Sequence, residues 1–224
     1  IGKARKEALT RLRIARHRRL PRGLPSMRNR YHLYHSAVSD LHRRVSPSSV
    51  DVIITDPPYD EKQIEVYSDL AAFSCYALKS GGHLVVMTGT GALAKVLIRL
   101  SRPPLSYHWC LAYLSLRRRG LSFQSKFRQF WKPVVVMVKG KYVGDWIRTD
   151  VVEPPGDDGD KLIHPMGQSR GGMAKLIDLF CGPGETVCDP FCGGGSTGVA
   201  AVTSGRLFIG GDIESKWVSA TSKA

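Results

Sequence analysis

Acidic residues are absent from a long stretch in the middle of the chain. Between Asp69 and Asp145 there is no Asp or Glu, while the same stretch contains twelve Lys and Arg residues. Residues 1–30 form a second basic region, with 11 Lys and Arg against one acid, which gives 11 − 1 = +10 of the chain's net charge of +14. Basic charge that is segregated in this way predicts a polyanionic partner, most simply a nucleic acid.

The sequence also lacks long apolar runs and closely spaced cysteines. No apolar run approaches the roughly 20 residues that a membrane span needs, and no signal-peptide core follows the basic start, so we expect a soluble, cytoplasmic protein. The five cysteines are odd in number and show no Cys-x-x-Cys spacing, which favours reduced packing residues over disulfides or metal ligands. The length of 224 residues predicts one well-cored domain. Because Ile1 is not an initiator methionine, we expect the chain to begin inside a longer protein.

One informative stretch is Val50–Asp60, with the sequence VDVIITDPPYD. Its first half is nearly all β-branched and apolar, which predicts a strand buried on both faces of a parallel sheet. We expect this strand to end at Asp56, because a residue before proline is pushed toward extended backbone. Pro57 and Pro58 have no N–H groups, so the sequence predicts a rigid corner that offers only hydrogen-bond acceptors, with Tyr59 beside it.

Such a corner can hold a flat amine. The exocyclic amine of a nucleobase is a poor nucleophile, since its lone pair is delocalised into the ring. Hydrogen bonds to Asp56 and to the Pro57 carbonyl would direct that pair toward an electrophile while Tyr59 stacks on the base, which must first leave the duplex. The alternative interpretation of these residues alone is a Pro-Pro turn after a core strand.

A second informative stretch, Thr186–Ala201, is rich in glycine. It predicts a strand that ends at Asp189, a tight turn, and a helix over Ser196–Thr203, followed by a strand over Leu207–Gly211 with Asp212 at its end. The glycines of this turn would let a ligand approach the backbone and the helix N-terminus closely; they are Gly193, Gly195 and Gly198.

The glycine spacing formally matches a dinucleotide fingerprint, but its position argues against that ligand. A dinucleotide domain continues for several strands after this unit, and only 224 − 212 = 12 residues follow Asp212. Asp189 would repel a pyrophosphate and could contact a cationic cofactor, which favours S-adenosylmethionine. A strand–helix turn without any ligand is the alternative. If the two strands are neighbours, an amine at Asp56 would face a methyl donor at the glycine turn.

Helical and strand patterns place the other elements. Helices are predicted over residues 3–19, 64–79, Leu93–Leu100 and Met173–Phe180, with Ser80-Gly81-Gly82 ending the second. Strands are predicted over Arg28–His35, His83–Thr88, Tyr107–Leu114 and Pro133–Val138, with a basic hairpin tip between the last two.

We interpret residues 1–30 as an arm or linker, 31–224 as the main domain, and 139–168 as irregular structure that could form a small recognition insert. The candidates for phosphate contact are Arg117, Arg118, Arg119, Lys126 and Arg128.

With both motifs in view, the chain resembles the DNA amino-methyltransferases, specifically the permuted β-class. Asp56–Tyr59 looks like the catalytic motif of that family and Asp189–Gly198 like its cofactor motif, in the order of the permuted class. The resemblance implies an α/β, Rossmann-like methyltransferase fold: a mostly parallel, doubly wound sheet with a terminal antiparallel hairpin strand. It also implies that the Tyr31–His35 strand lies beside Leu207–Gly211.

The resemblance further implies a role for each matching residue. The base would be held by Asp56, Pro57, Pro58 and Tyr59. The cofactor pocket would be lined by Asp189, Pro190, Phe191, Gly193, Gly195 and Thr197, with Asp212 on the ribose; His164 and Gln168 could reach the methionine end. Two departures from the family pattern are Ser36-Ala37, where many relatives have an acid, and Asp212, where Glu is usual.

The implied activity is S-adenosylmethionine-dependent methylation of double-stranded DNA on an exocyclic amine, with adenine N6 favoured over cytosine N4. An inactive DNA-binding module with the same fold is the alternative, and the altered Ser36-Ala37 region is its support. A dehydrogenase is a more distant third interpretation. The sequence leaves open the recognised DNA site, any restriction partner, and whether the protein is a monomer or a homodimer.

Overall fold

The computed structural model describes residues 26, 29–115, 120–122, 126–142, 148–155, 168–216 and 218. Several predictions from the sequence lie outside these ranges: the helix over residues 3–19, the basic run Arg117–Arg119, and His164. The strands are β1 (Tyr31–His35), β2 (Val50–Thr55), β3 (Leu78–Met87), β4 (Leu105–Leu114), β5 (Gly120–Ser122), β6 (Phe127–Gln129), β7 (Trp131–Lys139), β8 (Val151–Val152), β9 (Thr186–Asp189) and β10 (Leu207–Asp212). The helices are α1 (Val66–Ala77), α2 (Leu93–Leu100), α3 (Arg170–Phe180) and α4 (Ser196–Thr203).

Eight of the described strands form one sheet in the order β1-β10-β9-β2-β3-β7-β4-β8. The neighbours from β1 to β3 are all parallel, whereas β7 runs antiparallel between β3 and β4. Strands β5 and β6 form a separate antiparallel ribbon between β4 and β7 in the chain. The predicted fold class, a mostly parallel α/β sheet with an antiparallel hairpin strand, is therefore confirmed.

The sheet is covered by helices on both faces. Strand β2 lies at its centre, and the side chains of Val52, Ile53 and Ile54 have no exposed surface. Ile53 packs in a cluster with apolar residues of α1 and α2, while Val52 and Ile54 pack with those of α3 and α4. A strand that is covered on both faces needs apolar side chains at successive positions, which explains the nearly unbroken apolar run of β2.

The first strand completes the sheet from the edge opposite β8. Strand β1 pairs in parallel with β10, with Tyr31 opposite Phe208 and His35 opposite Asp212, as the resemblance implied. The two strands approach closely, because a β-carbon on Gly210 would lie 2.7 Å from the Leu33 side chain. Glycine at this position therefore allows the β1–β10 contact.

Several boundaries differ from those predicted. The glycines Gly81 and Gly82 do not end the preceding helix but lie inside β3, which starts directly after α1 at Leu78. The first strand begins at Tyr31 rather than at Arg28. Residues 139–168, predicted to be irregular, include the last residue of β7 and the short strand β8, which pairs with β4. By contrast, the predicted bounds of α2 and α4 are confirmed.

Candidate active site at the carboxyl edge of the sheet

The two motifs lie at the same edge of the sheet because their strands are neighbours. Strands β2 and β9 pair in parallel, with Val52 opposite Val187 and Ile53 opposite Cys188. The next contact along the pair joins two buried side chains: the Thr55 hydroxyl donates to Asp189 Oδ1 over 2.7 Å. The predicted meeting of the Asp-Pro-Pro-Tyr corner and the glycine turn at one edge is therefore confirmed.

The Asp56 carboxylate follows β2 and accepts hydrogen bonds on both of its oxygens. The Tyr59 hydroxyl donates to Oδ1, and the Gln168 side-chain amide donates to Oδ2. Burial raises the pKa of Asp56, while the positive charge of Lys132 and the two hydrogen bonds oppose that rise. The carboxylate is thus held in a fixed orientation by two donors, one from its own corner and one from the residue that lies shortly before α3.

The prediction of an acceptor-only corner was wrong. It rested on the missing N–H groups of the prolines, but side chains supply donors instead. Besides the two donors to Asp56, the Tyr67 hydroxyl lies 3.5 Å from the Pro58 carbonyl oxygen and donates to it. The same hydroxyl lies 3.4 Å from Thr88 Oγ1, at the end of β3. Burial raises the pKa of Tyr67 to about 12, so it remains a protonated donor at neutral pH.

Tyr59 lies between Asp56 and Lys132. The Lys132 ammonium is 3.4 Å from the Tyr59 hydroxyl oxygen and 5.0 Å from the centre of its ring. Burial and the nearby Asp56 charge raise the pKa of Tyr59, which keeps its hydroxyl protonated and able to donate to the carboxylate. The loop after β3 also lies against this tyrosine, since a β-carbon on Gly89 would be 3.9 Å from it.

The glycine turn after β9 has the backbone shape that its sequence predicts. Gly193 and Gly195 have φ angles of 45° and 84°, in the left-handed region that favours glycine. Gly195 then leads directly into α4. Phe191 and Asp189 are linked within the turn, because the Phe191 amide donates to Asp189 Oδ1 over 3.1 Å. The two left-handed glycines bring the chain sharply into the start of α4, with Gly193 itself half-buried.

Asp189 is a buried acid with an unusual titration. Burial raises its pKa to about 6, and hydrogen bonds from Thr55, Thr197 and the Phe191 amide oppose the rise. The negative charge of Asp56 contributes to the increase, which is consistent with the closeness of the two carboxylates. A positively charged group at this edge would interact favourably with both acids.

Asp212 ends β10 and joins it to the glycine turn. Its Oδ2 accepts from the Gly193 amide and its Oδ1 from the Glu214 amide, each over 2.9 Å. An ionised carboxylate has about four acceptor positions, so further donors can still be accommodated. The predicted contact of Asp212 with a ribose stays a prediction, to which the structure adds a role in fixing the turn.

The structure brings most of the predicted site residues together and adds others that the sequence analysis missed. Gln168, assigned to the cofactor, contacts the base-side carboxylate of Asp56. Lys126 and Arg128 lie on the β5–β6 ribbon, and both are exposed. The sequence analysis missed Thr55 and Lys132. Thr55 could have been found, because it is a polar residue at the end of an apolar strand. Lys132 could not, because its position depends on how β7 inserts into the sheet.

A model of the DNA methylase family matches residues 124–223, which include β9, the glycine turn and β10. This segment of the chain is similar to the DNA methylase family. Residues 124–223 hold the glycine turn of the site, whereas the Asp-Pro-Pro-Tyr corner lies before them.

Individual relatives agree with the DNA methylase match. The chain is 21% identical to the DNA adenine methyltransferase YhdJ of Escherichia coli K12 over 243 residues, which cover 83% of this chain and 79% of YhdJ. Among solved structures, the M1.HpyAVI–SAM complex matches with a TM-score of 0.70 at 21% identity, over 86% of this chain and 98% of that one. The cytosine-N4-specific PvuII DNA methyltransferase matches with a TM-score of 0.75 at 16% identity, over 86% and 85%. The structural matches show a shared fold.

Three further features of the described residues concern metal ligands, membrane spans and thiols. No three His, Cys, Asp or Glu side chains within those ranges are grouped as a metal site would need. None of the helices that the structure describes has the length and apolar character for crossing a bilayer. All five cysteines are free thiols, and Cys181, Cys188 and Cys192 are buried, as expected of packing residues.

Proposed function

We propose that this protein is an S-adenosylmethionine-dependent DNA methyltransferase that modifies an exocyclic base amine, most simply N6 of adenine. The observation that carries this proposal is the hydrogen bond between Thr55 and Asp189, which joins the strand before the amine-binding corner to the strand before the glycine turn. The two halves of a methyl-transfer site are therefore adjacent. The methylase-family match to the segment with the glycine turn supports the same activity.

The residues at the glycine turn fit S-adenosylmethionine. This cofactor supplies a methyl group activated on a positively charged sulfur and carries no phosphates. The left-handed glycines Gly193 and Gly195 allow close approach to the backbone, while the buried carboxylate of Asp189 provides a negative charge for a cationic ligand. Phe191 and Asp212 lie next to the same turn and would complete the pocket.

At the base side, Asp56 and the Pro57 carbonyl would accept the two N–H groups of the target amine. Tyr59 and Gln168 already hold the Asp56 carboxylate in place, and its remaining acceptor positions can receive the amine. The amine nitrogen gains a bond to the methyl carbon as the sulfur–methyl bond breaks, and it then releases one proton toward Asp56 or solvent. Alignment of the nitrogen with the methyl group would supply most of the rate enhancement.

Double-stranded DNA is the proposed partner, and the basic residues are its proposed contacts. Lys126 and Arg128 are exposed on the ribbon near the site, within the stretch that contains no acid between Asp69 and Asp145. Binding through phosphates releases counterions, so the affinity for DNA should fall steeply with salt concentration. We extend this proposal to Arg117, Arg118, Arg119 and the basic arm over residues 1–30.

The choice between adenine N6 and cytosine N4 is tested directly by product analysis. Purified protein is incubated with labelled S-adenosylmethionine and unmethylated plasmid DNA, the DNA is digested to nucleosides, and the labelled nucleoside is identified. Label in N6-methyladenine supports the proposal, and label in N4-methylcytosine would replace adenine with cytosine as the substrate. Sequencing that detects modified bases then maps the methylated positions.

An inactive DNA-binding module is the second candidate, favoured by one observation. Ser36 and Ala37 stand where many similar enzymes have an acid, and the Ser36 backbone amide donates to the Asp212 carbonyl over 2.9 Å, so the missing acid falls directly beside Asp212. Binding of S-adenosylmethionine and DNA without any labelled nucleoside would support this candidate. Label in either base would exclude it.

A further inference from the structure

The β5–β6 ribbon exposes a large aromatic side chain beside the proposed site. Phe127 has 72% of its surface exposed, the highest value among the large apolar side chains that the structure describes. It lies between Lys126 and Arg128, both of which are exposed. An aromatic ring flanked by two cations suits a partner that offers both negative charge and flat apolar surfaces, and DNA has these in its phosphates and stacked bases.

The ribbon and the strand that follows it each make one contact with the proposed base pocket. The Gln129 side-chain amide donates to Thr90 Oγ1 over 3.0 Å, in the loop next to Tyr59. Three residues further along, Lys132 contacts the Tyr59 hydroxyl. The position of the ribbon is thus tied to the residue proposed to stack on the target base.

The alternation of side chains along β6 determines which face of the ribbon Phe127 occupies. Successive side chains of a strand point to opposite faces, so Phe127 and Gln129 share one face of β6 and Arg128 occupies the other. Because Gln129 reaches the loop beside Tyr59, Phe127 is on the ribbon face that is turned toward the proposed site. Two residues along a strand span roughly 6.5–7 Å, which places Phe127 farther out from that loop.

We propose that Phe127 inserts into the DNA base stack and occupies the space left by the extruded target base. This inference rests on the proposed function, since only an enzyme that acts on a base inside a duplex needs to extrude it. Lys126 and Arg128 would hold the phosphates on either side of the insertion. Apolar side chains that enter base steps in this way offset part of the loss of stacking.

The same ribbon offers a matched control. Leu121 is 49% exposed and lies opposite Arg128 in the pairing of β5 with β6, so it belongs to the other face. Phe127→Ala and Leu121→Ala each remove an exposed apolar side chain and should leave the fold intact. Phe127→Trp keeps a flat ring at the position and serves as the conservative variant.

The test uses a short, unmethylated duplex whose sequence surrounds a position that the protein methylates in plasmid DNA. In this duplex, 2-aminopurine replaces the target base and reports its unstacking. A second duplex has an abasic site opposite the target, which removes its pairing partner and makes extrusion easier. For Phe127→Ala on the paired duplex, we expect the fluorescence increase to be lost and kcat/KM for transfer to unmodified target to fall by about 10- to 100-fold. The loss of kcat/KM in Phe127→Ala should be smaller on the abasic duplex. Leu121→Ala and Phe127→Trp should keep a fluorescence increase and a kcat/KM close to those of the unaltered protein.

Two results would overturn the inference. One is normal unstacking and normal transfer in Phe127→Ala; the other is an equal deficit on both duplexes, which would mean a general loss of DNA affinity. Failure of the proposed function looks different, because the unaltered protein would then transfer no methyl group to any DNA. In that case no methylated position can be mapped, and the inference, which depends on the extrusion of a target base, is rejected together with the proposed function.

Discussion

Thr55 and Asp189 are 134 residues apart in the chain, yet the buried hydroxyl of one donates a 2.7 Å hydrogen bond to the carboxylate of the other. Each residue ends a central parallel strand, and each precedes one of the two motifs of the proposed site. The bond therefore fixes the distance between the amine-binding corner and the glycine turn. Its strength and its effect on Asp189 can both be measured.

Thr55→Val removes the hydroxyl with almost no change of shape. Asp189 would lose one of the hydrogen bonds that oppose the rise of its pKa, so we expect weaker binding of S-adenosylmethionine. We also expect the free energy of unfolding to fall by about 1.5–3 kcal/mol, the usual range for a hydrogen bond to a charged group. Calorimetric titration and chemical denaturation measure the two effects. Thr55→Ser keeps the donor and should restore both; equal behaviour of the Val and Ser variants would contradict this account.

The affinity for S-adenosylmethionine should depend on pH through Asp189. Its pKa of about 6 means that the carboxylate is ionised at pH 7.5 and increasingly protonated below pH 6. If the ionised form contacts the cationic cofactor, Kd should rise by up to about tenfold for each pH unit below 6. Titrations between pH 5 and pH 8 test this, with Asp189→Asn as the control that should bind weakly at every pH. A Kd of the unaltered protein that is constant over this range would remove Asp189 from cofactor binding.

The stability of the unliganded protein should respond to Asp189 in the opposite direction. A carboxyl group whose pKa is higher in the folded than in the unfolded state binds protons more tightly when folded. The contribution of Asp189 to stability is therefore greatest below about pH 4 and is lost as the pH rises through about 6. We therefore expect the free energy of unfolding of the unaltered protein to fall, relative to that of Asp189→Asn, between pH 4.5 and pH 7. Chemical denaturation of both proteins at the two pH values measures this change.

Lys132 should control the pH at which the proposed catalytic carboxylate becomes active. Asp56 must be ionised to accept hydrogen bonds from an amine, and Lys132 opposes the rise of its pKa. Lys132→Met should raise that pKa further, so the acid limb of the kcat profile should move to higher pH. Lys132→Arg keeps the charge and should leave the limb near its original position. An unmoved acid limb in Lys132→Met would show that Asp56 and Lys132 are not coupled during transfer.

Local sequence signals were enough for the elements that carry the two motifs. The apolar β-branched run before Asp56 predicted β2, and the glycines after Asp189 predicted the turn and the start of α4. These signals lie within a few residues of the features they determine, because proline and glycine restrict or free the backbone where they stand. Both bounds of α4 and the end of β9 were therefore predictable from the sequence, and the end of β2 was predictable to within one residue.

The contacts between distant segments were not predictable in the same way. Lys132 reaches Tyr59 across 73 residues, and Gln168 reaches Asp56 across 112. Both contacts depend on the insertion of β7 between β3 and β4 and on the packing of the segment before α3, which no local pattern determines. The donor that Gln168 supplies to Asp56, together with the hydroxyls of Tyr59 and Tyr67, is the reason that the acceptor-only prediction for the corner failed.

His83 provides a test of the core that is separate from the site. Its ring is 3% exposed and lies 5.1 Å from Tyr142 and 5.3 Å from Phe180, measured between ring centres. Burial, with the nearby charges of Arg148 and His108, lowers its pKa to about 3. Since the unfolded chain binds this proton near pH 6.5, the contribution of neutral His83 to stability is lost as the pH falls below that value.

His83→Phe should remove this pH dependence. The difference in unfolding free energy between the variant and the unaltered protein should change by about 1.4 kcal/mol for each pH unit below 6, in favour of the variant. Chemical denaturation at pH 8 and pH 5 measures that difference. Methyl transfer at pH 8 should be unchanged, because His83 pairs with Val52, early in β2 and away from the carboxyl edge. A difference that is the same at both pH values would show that His83 is protonated in the folded state.

The central claim is that the Asp56 carboxylate and the glycine turn form one methyl-transfer site, and single-turnover transfer tests it most directly. Protein preloaded with labelled S-adenosylmethionine is mixed with excess DNA, and the rate of label incorporation is compared for the unaltered protein and Asp56→Ala. We predict a loss of at least about 100-fold in Asp56→Ala, the lower range for a positioned proton acceptor, with an unchanged Kd for S-adenosylmethionine. Equal rates of incorporation, or a loss of transfer that merely follows a loss of cofactor binding, would contradict the claim.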